Sequence, residues 1–445
     1  MILLTFIGTN PEYRNIDVPI VKTIIGLPMK ILLQNIRRLV QTETNPVEWV
    51  AGADMAKLPE ISDAFLLINN EWIEDFGPMS EMGRVNLNDD LVTEIDCKGR
   101  HVLPAWCDSH SHIVYAGSRE KEFVGRIKGF SYQEIAYQGG GILNSAKLLR
   151  ETPAEMLFEQ ASHRVQEVMR HGTGALEIKS GYGLTVEDEL KMLRVIQWLR
   201  QTTPVCIRAT FLGAHAIPEE YKNDVRGYVD LIINEMIPQV ASEELADYID
   251  VFCEEGYFSP EDTERILMAG MKYGLRPKIH ANEMGHSGGV EVGVKYNALS
   301  VDHLEYMSDR DIELLRDSET MPTILPGASF FLGIPYAPAR KLIDAGLPIA
   351  LATDYNPGSS PSGNMNFVGS LAAIKQRLLP EEVINACTIN GAYAMGINDR
   401  LGSVARGKIA NLIITSEING VESLQYNFGS NLVDTLILNG EVQSI

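Results

Sequence analysis

The stretch HVLPAWCDSHSH, residues 101–112, joins an apolar run to a pair of histidines at its end. Side chains two positions apart in a β-strand point to the same face, so the imidazoles of His110 and His112 can approach one ion together. Zinc and iron(II) both accept imidazole nitrogen as a ligand. A His-x-His pair also arises by chance, so the stretch indicates a metal site only if other ligands join it.

Seven further apolar, strand-like runs follow, and amphipathic helical patterns separate several of them. The runs are residues 175–179, 205–215, 248–254, 277–280, 298–303, 321–325 and 349–354, and the clearest helical patterns are residues 153–171, 186–200, 260–273 and 337–345. With residues 101–112 as the first strand, this alternation predicts an α/β fold, a TIM (β/α)8 barrel.

Short, turn-bounded apolar segments occur at both ends of the chain, before the barrel and after it. They predict a small composite β-sandwich domain built from both termini. The expected boundaries are residues 29–103 for the first part of this domain, 104–396 for the barrel and 397–445 for the second part. Residues 1–28 are interpreted as an extension of unknown role, with Met29 as the expected natural start.

The charge and cysteine content narrow the classes of function. A formal net charge of -21 argues against binding to nucleic acid or to an anionic membrane, since both require a positive surface. It permits a small anionic substrate, because a local arginine or a metal can reverse the sign inside a pocket. The five cysteines are scattered and form no Cys-x-x-Cys pair, which favours a reducing cytoplasm over an oxidising compartment.

Five of the eight predicted strands end on a group that can bind a metal or move a proton: His112, His215, His280, His303 and Asp354. In TIM barrels the active site lies at the carboxyl ends of the strands. The predicted metal ligands are His110, His112, His280 and Asp354, which leave a position for water. The remaining histidines, His101, His163, His171 and His286, are interpreted as surface or helix-cap residues.

Other residues near these strand ends are candidates for catalysis and binding. Glu283, three residues beyond His280, is placed to shuttle a proton, and His303 to stabilise charge on a polarised carbonyl. Arg119, on the loop after the first strand, can bind a substrate carboxylate with two hydrogen bonds. Asp302 and Glu305 are treated as structural.

These motifs, in this order, resemble the amidohydrolase superfamily and, within it, the imidazolonepropionase family. The resemblance covers residues 30–445, and the matching stretches are CDSHSHIVYAGSREKEF, GGGILNSA, GALEIKSGYGLTVEDELKML, FLGAHAIPEEY, KIHANEMGHSGG, SVDHLEYM, ILPGASFFL and ALATDYNPGSSP. It implies a metal-dependent hydrolase of histidine degradation. The implied reaction opens the ring amide C–N bond of 4-imidazolone-5-propanoate to give N-formimidoyl-L-glutamate.

The resemblance also implies a role for each matching position. The implied metal ligands are again His110, His112, His280 and Asp354. The implied substrate-binding residues are Arg119, Tyr182, His215, Glu283, Asn356, Gly358 and Ser359. The implied catalytic residues are Glu283, His303 and Asp354. The resemblance further implies one divalent metal, zinc or iron, and a homodimer.

Two alternatives stay open at this stage. The same architecture can deaminate a purine or pyrimidine ring, but that reaction needs no carboxylate clamp, and Arg119 argues against it. A barrel that has lost catalysis and serves as a binding protein is expected to lack at least one metal ligand, whereas all four ligands are present here.

Overall fold

The computed structural model describes residues 29–85, 91–130 and 140–445. The predicted extension, residues 1–28, lies outside this part of the chain. The strands are β1 (Met29–Val40), β2 (Thr42–Glu43), β3 (Glu60–Asn69), β4 (Trp72–Pro78), β5 (Leu91–Asp96), β6 (His101–Pro104), β7 (Trp106–Asp108), β8 (Thr173–Lys179), β9 (Cys206–Ala214), β10 (Tyr248–Cys253), β11 (Arg276–Ala281), β12 (Ser300–His303), β13 (Met321–Ile324), β14 (Ala350–Leu351), β15 (Val404–Ala405), β16 (Leu412–Thr415), β17 (Val433–Leu438) and β18 (Glu441–Gln443).

The α-helices of the described residues include one or two between each pair of consecutive strands from β8 to β14. They are α1 (Glu120–Ile127), α2 (Ile142–Glu151), α3 (Ala154–Arg170), α4 (Val186–Thr202), α5 (Val225–Leu231), α6 (Ile237–Ser242), α7 (Pro260–Met271), α8 (Gly289–Lys295), α9 (Asp309–Arg316), α10 (Pro326–Leu332), α11 (Ala339–Asp344), α12 (Met365–Gln376), α13 (Pro380–Cys387), α14 (Ile389–Ala394) and α15 (Ser423–Tyr426). Short 3₁₀ helices cover Gly52–Ala56, Met79–Arg84 and Glu219–Tyr221, and a π-helical turn covers Ile232–Met236.

Strands β7 to β14 form one parallel sheet in sequence order, and this sheet curls into the predicted barrel. The two edges meet just beyond the ends of β7 and β14. There the His112 N–H donates to the carbonyl of Tyr355, and the Asp354 N–H donates to the carbonyl of His110, both at 2.9 Å. The seam of the barrel therefore brings His110, His112 and Asp354 side by side through backbone hydrogen bonds alone.

The predicted helices of the barrel follow from local sequence signals. Helix α3 buries Leu157, Ala161, Val165 and Val168, one helical face, against α4 and β8. Helix α7 begins where Pro260 follows Ser259, whose hydroxyl caps the N–H of Asp262 while the Asp262 carboxylate returns the contact.

The small domain combines strands from both ends of the chain, as predicted. Its main sheet runs β18-β17-β16-β6-β1-β3-β4, with β5 also paired to β1, and a separate two-stranded sheet pairs β15 with β2. The N-terminal and C-terminal parts meet where β6 pairs antiparallel with β16. The apolar core of this sheet includes Leu33, Leu66 and Ile414.

The predicted first barrel strand, residues 101–112, is wrong as a single element. Residues His101–Pro104 pair with β1 and β16 in the small domain, whereas Trp106–Asp108 pair with β8 in the barrel. The chain changes sheets at Ala105, whose N–H donates to the carbonyl of Asn411. Because both sheets are buried at this point, the apolar run is continuous and carries no sign of the change.

His101 also departs from its interpretation as a surface or helix-cap residue. Its side chain is fully buried at the start of β6, where its N–H donates to the hydroxyl of Thr415. His171 does end a helix, at the C-terminus of α3, and His286 is exposed. No helix within the described part of the chain is long and apolar enough to cross a membrane.

Candidate active site

The four predicted metal ligands converge at the carboxyl end of the barrel. The Nε2 atoms of His110 and His112 lie 3.2 Å apart, and those of His112 and His280 lie 3.4 Å apart. The Oδ1 atom of Asp354 lies 3.5 Å from Nε2 of both His110 and His112. All four side chains are buried.

These spacings match the donor set of a divalent cation. Ligand atoms at about 2.0–2.1 Å from a tetrahedral zinc lie about 3.3–3.4 Å from one another. Neutral imidazole is the ligating form, and burial lowers the pKa of both His110 and His112 well below its ordinary value, with Lys179 and His215 respectively the next causes. Three neutral imidazoles and one carboxylate therefore fit a zinc or iron ion in both geometry and charge.

Two buried carboxylates contact two of these histidines at Nδ1, the ring nitrogen on the side away from the cluster. Oδ2 of Asp302 lies 2.7 Å from Nδ1 of His110, and Oδ2 of Asp250 lies 3.0 Å from Nδ1 of His280. A carboxylate on Nδ1 fixes the tautomer so that the Nε2 lone pair faces the ion. The prediction that Asp302 is only structural is therefore incomplete, since this residue positions a candidate ligand.

The backbone at the strand ends adopts conformations that few side chains favour. His303 has φ of 83° and Asp354 has φ of 52°, in the left-handed region. At Asp354 the barrel seam maintains this conformation through the N–H bond to His110. Strained backbone that the surrounding structure maintains is typical of functional sites.

Glu283, His303 and Glu305 form an acid–base group beside the cluster. Nε2 of His303 lies 3.7 Å from Oε2 of Glu283, and its Nδ1 lies 3.7 Å from Oε2 of Glu305. Burial raises the pKa of Glu283 to about 7. Burial disfavours the charged form of His303, but Glu283, Glu305 and Asp354 outweigh it and raise its pKa to about 10. The group therefore combines a carboxyl whose pKa is raised by burial with an imidazole whose pKa is raised by its neighbouring carboxylates.

A cavity of about 460 Å³ opens onto the cluster. Its lining includes every predicted substrate-binding residue: Arg119, Tyr182, His215, Glu283, Asn356, Gly358 and Ser359. Residues that the sequence did not single out complete the wall: Arg126, Phe130, Ile142, Phe252, Tyr257, Met284, Tyr306, Leu332 and Ile334. The lining thus combines apolar and aromatic side chains with the charged groups of Arg119, Arg126, Glu283 and Asp354.

Arg119 immediately precedes α1, and it is part of the lining of this cavity. Its Nε lies 3.0 Å from Oε1 of Glu122, and its guanidinium lies directly over Gly358, where a Cβ would clash with Nη1. The glycine therefore makes room for the cation. Nη1 and Nη2 point away from Nε, so the Glu122 contact leaves this end of the fork for a ligand.

The loop after β14 supports Asp354 from the cavity side. The Asn356 amide donates to the carbonyl of Asp354 and to the Ser359 hydroxyl, both at 2.7 Å, and its Oδ1 accepts from the N–H groups of Gly358 and Ser359. The Ser359 hydroxyl donates in turn to Oδ2 of Asp354 at 3.0 Å. Asn356 therefore shapes the loop, and Ser359 orients a candidate metal ligand.

Tyr182 and His215 form another part of the cavity wall. The rings of His215 and His112 stack at 5.1 Å, and Tyr182 contacts both histidines. Nδ1 of His215 lies 3.1 Å from the carbonyl of Gly181, whose φ of 109° and close approach to the ring exclude a side chain. Nδ1 bound in this way directs Nε2 of His215 towards the cavity.

Sequence reasoning missed the charged residues inside the barrel. Asp250, Glu177, Lys179 and Lys278 are essentially fully buried, yet none was singled out. Their signal was present in the sequence, because each is a charged residue within a strand predicted for the barrel. Burying an ion is costly unless it is paired, so such a position implies a partner.

Comparison with known proteins shows the family of this chain. The amidohydrolase family model matches residues 101–442. Imidazolonepropionase from Flavobacterium johnsoniae is 57% identical over 414 residues, which cover 93% of this chain and 100% of that protein. The chain belongs to the imidazolonepropionase family. A relative of the same name from Caldanaerobacter subterraneus subsp. tengcongensis is 41% identical, with 92% of this chain and 96% of that one covered.

Solved structures of lower identity share the fold of this family member. E. coli guanine deaminase superposes with a TM-score of 0.70 at 13% identity, covering 93% of this chain and 99% of that one. An adenosine deaminase from Xanthomonas campestris with bound zinc superposes with a TM-score of 0.65 at 15% identity, covering 94% and 93%. At this identity the likeness concerns the barrel and its small domain.

Proposed function

We propose that this chain hydrolyses the ring amide C–N bond of 4-imidazolone-5-propanoate and releases N-formimidoyl-L-glutamate, a step of histidine degradation. One observation carries the proposal. His112, His280 and Asp354 of the proposed ligand set line the same cavity as Arg119, in a chain that is 57% identical to a relative named imidazolonepropionase. With a net charge of -21, the protein needs a local cation to bind a small carboxylate.

His110, His112, His280 and Asp354 would hold one divalent ion, and zinc and iron both suit this donor set. When bound, such an ion lowers the pKa of a coordinated water and polarises a carbonyl oxygen. Elemental analysis of the purified protein identifies the metal. Loss of about one equivalent in a His280→Ala variant supports the ligand set, and retention contradicts it.

Glu283 is proposed to carry the proton. Its carboxyl lines the cavity, and a pKa raised to about 7 by burial lets it both accept and donate a proton at neutral pH. It takes the proton as the water oxygen bonds to the ring carbonyl carbon. It then delivers this proton to the ring nitrogen as the C–N bond breaks. Asp354 is proposed to assist as a relay.

His303 is proposed to stabilise the negative charge that develops on the carbonyl oxygen. The raised pKa keeps this imidazole cationic at neutral pH, and burial places it in a medium of low dielectric constant. A fixed cation in such a medium stabilises a developing oxyanion more than it does in water. His303 thus complements Glu283, which lies 3.7 Å away.

Arg119 and Tyr182 are proposed to bind the propionate, and His215 to contact the imidazolone ring. Both Nη atoms of Arg119 suit a carboxylate, since two parallel hydrogen bonds fix its position and orientation. Asn356, Gly358 and Ser359 are proposed to face the product. Ser359 donates to Asp354, so this loop lies beside the proposed ligands, where the new carboxylate would form.

The deciding assay follows the absorbance of the imidazolone on addition of enzyme and measures ammonia in the same sample. The proposed hydrolysis consumes the absorbance and releases no ammonia. Release of ammonia from a purine or pyrimidine would favour the alternative, deamination. A protein that binds the metal but turns over neither substrate would favour a binding role.

The remaining expectations concern the surroundings of the enzyme. A homodimer is proposed because dimers are common in the superfamily. A cytoplasmic location is proposed because the five cysteines form no disulfide. Sedimentation analysis at micromolar concentration tests the first expectation, and a sedimentation coefficient of a 49.3 kDa particle would contradict it.

A further inference from the structure

A layer of buried charges lies inside the barrel, one step below the histidine cluster. This ion network consists of Glu177, Lys179, Asp250, Lys278 and Asp302, and none of these side chains is more than 1% exposed. It holds three carboxylates and two ammonium groups. Apolar side chains of similar volume would often stabilise the fold at least as well as buried ions. The network therefore calls for an explanation other than stability.

Lys179 lies at the centre of this network. Its Nζ is 2.6 Å from Oε1 of Glu177, 2.7 Å from Oδ2 of Asp250 and 3.5 Å from Oδ2 of Asp302. Thus all three carboxylates surround one ammonium. Its pKa is raised far above the ordinary value despite burial, because these carboxylates outweigh the desolvation of the cation.

The two aspartates around Lys179 are the residues that hold candidate metal ligands. Oδ2 of Asp302 faces Nδ1 of His110 at 2.7 Å, and Oδ2 of Asp250 faces Nδ1 of His280 at 3.0 Å. The other oxygens are also occupied, by the Ser300 hydroxyl on Asp302 and by the N–H of His280 on Asp250. Each aspartate thus shares its Oδ2 between one imidazole and the ammonium of Lys179.

We propose that Lys179 is a positioning residue that sets the affinity of the site for its cation. This inference rests on the ligand set proposed above. The ammonium holds both aspartate side chains in place, and these face Nδ1 of His110 and of His280, which leaves Nε2 of each imidazole directed at the ion. Without it, both carboxylates lose their nearest cation, and the two imidazoles lose a fixed orientation. Loss of a direct partner of a metal-binding histidine typically changes metal affinity by about 10–100-fold, and Lys179 holds two such partners.

Lys278 provides a matched control within the same network. It is equally buried, but its ammonium pairs with Glu177 and donates to the carbonyls of Ser109 and Ala394, at 3.0 and 3.2 Å. It lies 4.0 Å from Asp302, and none of its contacts involves Asp250. A purely structural role for the network predicts that the two lysines behave alike.

The experiment compares Lys179→Met with Lys278→Met after metal removal. The dissociation constant for Zn²⁺ is measured by competition with a chromogenic chelator, and the visible spectrum of the Co²⁺-loaded protein reports ligand geometry. We expect Lys179→Met to weaken Zn²⁺ binding about 10–100-fold and to change the Co²⁺ spectrum. Lys278→Met is expected to keep both close to wild type. Equal effects of the two substitutions, or wild-type affinity in Lys179→Met, would overturn the proposal.

A charge-balanced variant guards against a failure to fold. The double substitution Glu177→Gln and Lys179→Met removes one charge of each sign from the network, yet leaves Asp250 and Asp302 without their shared ammonium. A folded double variant with weakened Zn²⁺ binding supports the proposal, and one with wild-type binding overturns it. The His280→Ala variant distinguishes a failure of the proposed ligand set from a failure of the Lys179 proposal. If His280→Ala retained Zn²⁺, the ligand set itself would be contradicted.

Discussion

The strand-borne metal cluster and the loop-borne binding pocket are built in different ways, although they share one cavity. His110, His280 and Asp354 lie at the barrel seam and strand ends, where the backbone hydrogen bonds of the sheet determine their positions. Arg119 and Ser359 lie on loops and depend on a few side-chain contacts. The difference suggests that the chemistry is part of the sheet, whereas the choice of substrate is added by loops.

Removing a strand-borne ligand should have the largest effect. We expect His280→Ala to lower kcat at least about 10³-fold, since the charge stabilisation by a bound metal is worth several kcal/mol. The bound metal, measured by elemental analysis, should fall with it. Full activity in a variant that binds less than a tenth of the metal would show that the cluster is not needed for catalysis. The assignment of the chemistry to the strand ends would then be wrong.

Glu283→Gln tests the proton carrier at the boundary between the two regions. We expect kcat to fall about 10²–10⁴-fold, the usual contribution of a general acid–base group, with the metal content unchanged. Steady-state kinetics and elemental analysis are measured on the same preparation. A loss of metal would instead assign Glu283 to the cluster.

Arg119→Ala tests the loop region. We expect KM to rise about 10–100-fold, since hydrogen bonds to a charged group are worth about 1.5–3 kcal/mol, while kcat and metal content change much less. Lys121→Ala, a neighbouring substitution on α1 outside the cavity lining, serves as the control. An Arg119→Ala enzyme with the wild-type KM would refute the carboxylate assignment.

Ser359→Ala tests whether the two regions are independent. The variant loses the hydroxyl that donates to Oδ2 of Asp354, so we expect a fall in kcat of about 5–10-fold, in line with one hydrogen bond of about 1 kcal/mol. Ser359→Thr keeps the hydroxyl and should stay near wild type. If KM changes and kcat does not, Ser359 contributes to substrate binding and does not support Asp354.

His101→Phe should have the smallest effect on activity, because this residue lies in the small domain. Burial lowers the pKa of His101 to about 4, so the folded state keeps it neutral while the unfolded state takes up a proton near pH 6.5. Its contribution to stability is therefore present above pH 6.5 and is lost as the pH falls towards 4. From pH 7 to 4.5, wild type should lose about 1–2 kcal/mol more unfolding free energy than the variant. The measurement is a denaturation curve of each protein at both pH values. An equal change in unfolding free energy for wild type and variant would contradict this prediction.

Much of the fold was predictable because its signals are local. The helix starting at Pro260 is marked by its capping residues, and the strand 248–253 by an apolar run of ordinary length. The first barrel strand was not, because the chain passes at Ala105 from one buried sheet to another without a change in polarity. Sequence pattern reports burial, and it does not report which sheet buries a residue.

The chemical groups of the site were predictable from local patterns: the His-x-His pair, His280 and Asp354 at predicted strand ends, and Arg119 on the loop after the first strand. Strand ends of a parallel barrel meet at one rim, so alternation alone was enough to bring them together. The contacts of Lys179 with Asp250 and Asp302, and of Ser359 with Asp354, were not predictable from the sequence. They depend on distances of about 3 Å, which the packing of distant strands sets for Lys179 and the fold of the loop after β14 sets for Ser359, and no local pattern encodes them.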